Sequence, residues 1–348
     1  MDKNTERKKK LKRINRILDR IAGFIIVTVL AIGIGGLGLV KILSDGPSPA
    51  MNTLFINMMQ ETRRFDFIPH LFLTNAEIEA RDSYWTYMDT AEAGLYTDFD
   101  PSMITITETK TDSTGMDAYG LIDDDGDGII FQEIHYHGST GYMIIVLDPT
   151  RVFVGMPDKY GGYGLTLEDM IAKYDALGGI NAGGFIDVGG AGNGGYPDGI
   201  TIVDGVTYNA SPNGGVVGLD SNGLMYVGYY SIEDCEKFGI VNAVSFSPVI
   251  IQNGEKLADF ESGINPRTAI GQRGDGAIVM LCVDGRQAYS FGVTYEDTAD
   301  IMLSYGVMNA INMDGGSSTC MYYNGGLANS PTNAAGGTRY LPTAWLFK

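Results

Sequence analysis

The stretch Thr294-Tyr-Glu-Asp297, closed by Gly306-Val-Met-Asn-Ala310 and continued as Ile311-Asn-Met-Asp314-Gly-Gly-Ser-Ser318, has two earlier counterparts in the chain. Thr166-Leu-Glu-Asp169 leads to Gly178-Gly-Ile-Asn-Ala182, and Ser231-Ile-Glu-Asp234 leads to Gly239-Ile-Val-Asn-Ala243. Each copy begins with a Ser/Thr whose hydroxyl can satisfy free helix N–H groups, followed by acids that suit the positive end of the helix. A glycine then supplies the left-handed residue that stops the helix, and an apolar strand follows. Between and after the copies lie Val203-Asp-Gly-Val206, Asp220-Ser-Asn-Gly-Leu224, Gln252-Asn-Gly-Glu255 and Arg273-Gly-Asp-Gly-Ala277, sequences that suit tight hairpins. Repeated helix–Gly–strand units joined by hairpins predict an α+β fold with a mixed, largely antiparallel sheet. Packing alone explains what the copies share, so function belongs just past the strands, where they differ.

The chain has 348 residues, 44% of them hydrophobic and 19% charged, enough to bury a core. Its formal charge of −18 is unevenly spread. Residues 1–20 hold nine Lys/Arg against three acids, and residues 21–43 add only Lys41. The remainder carries 14 basic and 39 acidic residues, and a body at −25 repels phosphate backbones, which argues against nucleic acid as a partner. Ile21 to Leu43 is apolar apart from Thr28 and Lys41, and 23 residues of helix span about 34 Å, enough for a bilayer core. Ser48-Pro49-Ala50 looks like a small-x-small cleavage site, but a signal peptide has an apolar core of only about 7–15 residues. The length therefore favours an uncleaved anchor, with the basic end cytoplasmic and the body extracellular.

These observations divide the chain into a cytoplasmic basic segment (1–20), a transmembrane anchor (21–43), a stalk and membrane-proximal helical arm (44–100) and an extracellular domain (101–348). Asp45-Gly-Pro-Ser-Pro49 reads as a short stiff stalk. Residues 51–90 look helical, broken at Pro69, with capping-box spacing at Thr74-Asn-Ala-Glu77 and no visible chemistry. Strands are expected at 102–108 and 142–154. Cys235, Cys282 and Cys320 make an odd count without metal spacing and read as small buried hydrophobes.

His70, His135 and His137 all precede residue 139, so acid–base work within the repeated region falls to carboxylates, tyrosines or hydroxyls. Asn312-Met-Asp314-Gly315-Gly316-Ser317-Ser318 is the densest polar cluster. A strand-end carboxylate, two glycines that admit close backbone approach and two hydroxyls suit an anionic or sugar ligand. Arg267 in Asn265-Pro-Arg-Thr268, Arg286 in Val283-Asp284-Gly-Arg286 and Arg339 in Gly336-Gly-Thr-Arg339 each lie beside a carboxylate or hydroxyl, suitable for anionic oxygens, though surface ion pairs explain them equally well. Asp123, Asp125 and Asp127 open like a calcium loop, but position 12 is Ile134 rather than the closing Glu, and a solvated turn is the plainer reading. No cofactor is required by the sequence; Ca2+ is the one ion it suggests.

Five ordered motifs resemble the phosphodiester glycosidase family: Asn181-Ala-Gly-Gly-Phe185, Ser247-Pro-Val-Ile-Ile-Gln-Asn-Gly254, Asn265-Pro-Arg-Thr-Ala-Ile-Gly271, Val283-Asp-Gly-Arg286 and Asn312-Met-Asp-Gly-Gly-Ser-Ser318. The resemblance runs over about residues 142–348. It is similar to the uncovering-enzyme type, and more so to a membrane-anchored bacterial branch often labelled exopolysaccharide biosynthesis protein. One departure is two glycines after Asp314 where the lysosomal type tends to have three. The resemblance implies hydrolysis of a sugar–O–phosphate bond in envelope or exopolysaccharide glycans. Asp314 and Asp284 would serve as nucleophile or base and Arg267 and Arg286 as charge neutralisers. Asn181, Thr268, Asn312, Gly315, Gly316, Ser317, Ser318 and Arg339 would hold substrate. The competing readings are a non-catalytic glycan-binding or assembly factor on the same fold and a calcium-stabilised surface protein.

Overall fold

The computed structural model describes residues 3–62, 65–81, 99–107, 111–186, 193–257, 262–333 and 336–348. Helix α1 (Lys3–Asp45) runs through both the basic segment and the apolar stretch, and its large apolar side chains from Ile14 to Ile42 are exposed apart from the half-buried Val40. It contains a helix, Arg13–Asp45, long and apolar enough to cross a membrane. The expected stalk is instead a turn of Gly46, Pro47 and Ser48, because Pro49 already occupies the first turn of α2 (Pro49–Glu61). Asn52 fixes that turn from both sides, accepting from Gly46 N at 3.3 Å and donating to Gly46 O at 2.9 Å. The arm continues through a 3-10 turn at Pro69–Leu71 to α3 (Asn75–Glu79), where Thr74 and Glu77 form the expected capping box. The expected helix at 82–90 lies outside the described residues.

Strands follow in chain order: β1 (Ile129–Tyr136), β2 (Ser139–Val146), β3 (Val152–Gly155), β4 (Gly178–Asn181), β5 (Thr201–Val203) and β6 (Val206–Asn209). Next come β7 (Gly215–Asp220), β8 (Met225–Gly228), β9 (Ile240–Phe246), β10 (Val249–Gln252), β11 (Glu255–Lys256) and β12 (Arg267–Arg273). The last five are β13 (Ile278–Val283), β14 (Val307–Met313), β15 (Met321–Tyr323), β16 (Gly326–Leu327) and β17 (Ala344–Phe347). Two expectations need correction. Residues 101–103 form a 3-10 turn capped by Asp100, and Ile104–Thr107 make no strand. The run 142–154 splits in two because Pro149, with Asp148 capping Thr150 N, opens a turn between β2 and β3.

The described strands form one seven-stranded sheet (β1-β2-β13-β12-β14-β10-β11) and two five-stranded ones (β16-β15-β4-β17-β3 and β6-β5-β9-β7-β8), all paired antiparallel. The three sequence repeats map one to a sheet. Each has a helix, α4 (Leu167–Tyr174), α5 (Ile232–Lys237) or α6 (Tyr295–Ser304), capped through the Ser/Thr hydroxyl as expected. Each helix covers the outer face of its own sheet: α4 against Cys320, Leu341 and Leu346, α5 against Ile202 and Ala243, α6 against Ala269, Val279 and Ala310. Gly239 and Gly306 end α5 and α6 at φ +69° and +78°. In the first copy the left-handed residue is Asp175 at +50°, and Gly178 already belongs to β4, where a Cβ would come within 2.6 Å of the Phe347 ring and Tyr322 O.

The inner faces of the three sheets meet in one core that includes Ile144, Ile180, Val217, Met280, Ile311 and Trp345. Each such side chain contributes about 1.5–3 kcal/mol by leaving water. The cysteines are free and buried in three different clusters, and burial pushes the Cys235 thiol up to about 11.

Candidate active site

Register places the site. Arg267 pairs opposite Val283, and Thr268 opposite both Cys282 and Met313. The start of β12 therefore lies between the ends of β13 and β14. Asp284, Arg286 and the Asp314-Gly-Gly-Ser-Ser loop all leave the sheet at that end.

Both glycines of the loop are required by space and backbone. A Cβ on Gly315 would lie 2.9 Å from Pro266 O. Gly316 adopts φ +60° and donates to the same carbonyl at 2.9 Å. A Cβ on Gly316 would come within 3.3 Å of the Arg286 guanidinium, so the loop and this arginine are in contact distance. Arg286 itself has φ +58°, a sparsely populated backbone state that costs about 1 kcal/mol or more and clusters at functional sites. Its Nε and Nη2 both donate to Asn265 Oδ1, at 3.1 and 2.7 Å. Crowding by protein atoms, then the nearby Arg267 charge, hold its pKa below the ordinary arginine value. Two guanidinium groups this close want an anion between them.

That anion is Glu61, at the end of α2. Its Oε2 lies 2.8 Å from Arg267 Nη2 and accepts from Asn265 Nδ2 at 2.8 Å, while Oε1 accepts from Gly263 N at 2.7 Å. Thr62, the next residue, accepts from Arg286 Nη2 at 2.9 Å. Arg267 is buried, stacked 3.8 Å over the Tyr295 ring, and also donates to Gly263 O and Val293 O. The arm, in which the sequence reading saw no chemistry, thus supplies a carboxylate to Arg267 and a hydroxyl to Arg286. Nothing in the local pattern around Glu61 marks it, because its partners are some 200 residues away.

The two aspartates differ. Cys282 faces the inter-sheet core and Val283 the α6 side, so Asp284 returns to the inter-sheet face while Arg267 packs against Tyr295 on the other. Asp284 is buried and held by Asn329 Nδ2 at 3.0 Å and Ser330 N at 3.1 Å. Burial raises its pKa, with those two donors opposing, so it keeps its proton to higher pH than an ordinary aspartate. Asp314 is half-buried, anchored through its backbone to Ala182 O and to the Asn181 side chain. Asn329, which also accepts from Met321 N and donates to Thr319 O, was not singled out by the sequence.

Asn181 and Thr268 are fully buried and stand behind the site wall. Asn181 donates to Asp314 O at 2.6 Å and accepts from Thr268 Oγ1 at 2.8 Å and Cys320 N at 3.0 Å. Asn181→Ala leaves several buried groups without partners, at about 1–3 kcal/mol each. Denaturant unfolding should show a loss of about 3 kcal/mol or more. Asn312 donates to Ser247 O and Met313 O, and its buried Oδ1 has no partner among the described residues. Ser318 is buried and accepts from Arg339 Nη1 at 3.4 Å; Arg339 lies 4.8 Å over the Phe185 ring. Ser317 is half-buried on the same loop. Gly315, Gly316, Ser317, Ser318, Arg286, Arg339 and Asp314 are thus gathered at one strand end, and Asn181, Thr268 and Asn312 support it.

Away from this end, one carboxylate oxygen from each of Asp123, Asp125 and Asp127 lies within 4.8 Å of the others. Asp123 accepts from Gly126 N and Gly128 N, Asp125 from Asp127 N, and Asp127 from Ile129 N, bonds that account for the loop's shape. Ile134, at the twelfth position of the loop counted from Asp123, lies in β1.

A profile of the phosphodiester glycosidase family matches residues 174–348, half of the chain, and takes in every residue of the strand-end site except those of the arm. The chain belongs to the phosphodiester glycosidase family. It is 34% identical over 119 residues to the bovine (Bos taurus) N-acetylglucosamine-1-phosphodiester alpha-N-acetylglucosaminidase, a match covering 34% of this chain and 20% of that protein. It is 29% identical over 187 residues to an SPbeta prophage-derived protein of Bacillus subtilis, covering 50% of this chain and 27% of that one. The chain therefore matches about a fifth to a quarter of the length of these relatives. The zebrafish N-acetylglucosamine-1-phosphodiester alpha-N-acetylglucosaminidase catalytic domain, auto-inhibited by its pro-peptide, shares the fold, with a TM-score of 0.54 at 23% identity over 63% of this chain and 81% of that one. A Synechocystis protein also matches at a TM-score of 0.54, with 14% identity.

Proposed function

We propose that this chain is a membrane-anchored hydrolase that cleaves the bond between an anomeric carbon and a phosphodiester oxygen in cell-envelope or exopolysaccharide glycans. The observation that carries this is a carboxylate from the chain's own arm seated on Arg267, next to Arg286 and the Asp314 loop: an anion occupies the place a substrate phosphate would need. In the reaction, a water oxygen bonds to the anomeric carbon and the carbon–oxygen bond to the phosphate breaks. The electron pair stays on the phosphate oxygen, and the water proton passes to a carboxylate. Guanidinium groups offset the charge on the departing phosphomonoester, which needs neutralisation more than protonation. Asp314 is the carboxylate at the anomeric carbon, and Asp284, whose pKa burial raises above that of an ordinary aspartate, is the second carboxyl of the pair.

The arm makes the described conformation a closed one, in keeping with the pro-peptide of the zebrafish relative. The exposed apolar face of α1 suits a bilayer, with the basic end cytoplasmic and the domain outside.

Full-length chain in detergent, given a UDP-sugar or a synthetic glycosyl-1-phosphodiester, should release free sugar and phosphomonoester in equal amounts. Arg286→Gln should raise KM about tenfold or more with little change in melting. Saccharide binding without release of sugar would favour the non-catalytic glycan-binding reading.

A further inference from the structure

Beyond the strand-end site lies a cleft of ≈ 450 Å³ on the β1–β2 edge, lined among others by Phe131, Glu133, Tyr142, Tyr323, Asn324 and Ala328. The Phe131 ring is 5.3 Å and 27° from that of Tyr323 and 6.3 Å and 14° from that of Tyr142. Both tyrosine rings are near-parallel to it, yet Phe131 remains 39% exposed and the Glu133 side chain 53%. The aromatic patch is thus partly open to solvent, beside a carboxylate and an amide.

The cleft adjoins Asp284. Tyr142 pairs opposite Cys282, two residues before Asp284, and Ala328 precedes the Asn329 and Ser330 that grip the Asp284 carboxylate. The electrostatics of the two regions are opposite. Burial raises the Tyr142 pKa, helped by Asp284 and Glu133, and that of Tyr323, helped by Asp127, Asp125 and Asp123. These acids repel phosphate, whereas Arg267, Arg286 and Arg339 attract it.

We propose that this cleft is a second saccharide subsite, taking an uncharged pyranose ring stacked on Phe131 and Tyr323 with its hydroxyls bonded to Glu133 and Asn324. The inference rests on the hydrolase reading for its connection to Asp284, and it specifies the substrate: a phosphodiester whose neutral sugar portion extends past one ring. Aromatic faces recognise the apolar face of a sugar, and a few polar groups at the rim fix its orientation.

The test is calorimetric titration of the full-length chain in detergent with uncharged trisaccharides of N-acetylglucosamine, glucose and mannose. At least one should bind, with affinity reduced about tenfold by Phe131→Ala and by Tyr323→Ala and retained by Phe131→Trp. Melting curves for all variants identify any that fail to fold, and Phe131→Trp keeps the comparison valid for a site that only needs a ring. Unchanged affinity in both alanine variants, or no binding of any of the three, overturns the subsite. Turnover measured alongside separates the two claims. Sugar release with ring-independent binding defeats the subsite and leaves the hydrolase; ring-dependent binding without release does the reverse.

Discussion

Glu61→Ala is expected to raise kcat/KM about tenfold or more. Glu61 and Arg267 have side chains only 5% and 4% exposed, and removing one partner of a buried pair costs about 3–5 kcal/mol. The penalty falls on the docking of the arm rather than on the domain, because the other Arg267 contacts, to Tyr295, Val293 and Gly263, belong to the domain itself. Undocking hydrates Arg267 and frees it, with Arg286, for a substrate phosphate. Glu61→Gln, which loses the charge and keeps only one of the two acceptor oxygens, should fall between. Initial rates against substrate concentration, together with protease sensitivity of the arm, read both effects. Faster proteolysis with unchanged rates would make the arm a purely structural strap, and a lower rate would make Glu61 a participant in the chemistry.

Asp314→Asn should reduce turnover about a thousandfold, within the range attributed to a positioned acid–base group. The substitution preserves the size of the side chain. Two of its anchors, Asp314 N to Ala182 O and Asn181 Nδ2 to Asp314 O, are to its backbone and survive. Melting should therefore stay within a few degrees of the parent, given that about 1 kcal/mol moves Tm by a few degrees in a chain of this size. Full activity in this variant would transfer the reaction to Asp284 or to another group.

The architecture was readable where local chemistry decides it. Cap hydroxyls at Thr166, Ser231 and Thr294, and the Asp-Gly and Asn-Gly turns, act over a few residues, and each formed as its sequence predicts. The Asp175 helix stop and the break at Pro149 show the limit: several nearby residues could end an element, and packing chose among them. The strand-end cluster was legible because glycines and carboxylates past a buried strand have few structural uses. Glu61, Asn329 and the aromatic patch were not. Each depends on contacts between segments far apart in sequence, which periodicity does not encode. Asn181 and Thr268 carried polar side chains of the right kind and were read as ligand contacts, yet total burial makes them braces.

The turn between α1 and α2 has a consequence for reach. Only Gly46, Pro47 and Ser48 separate the two helices, Arg81 clamps the junction by donating to Ser44 O at 2.7 Å, and α2 is 13 residues, about 20 Å, long. With α1 seated in a bilayer, this short connection acts as a ruler, keeping the catalytic end within a few tens of ångströms of the lipid headgroups while the arm is docked. Under the proposed anchoring, a substrate tethered near the membrane would lie inside that radius, and one far from it would not.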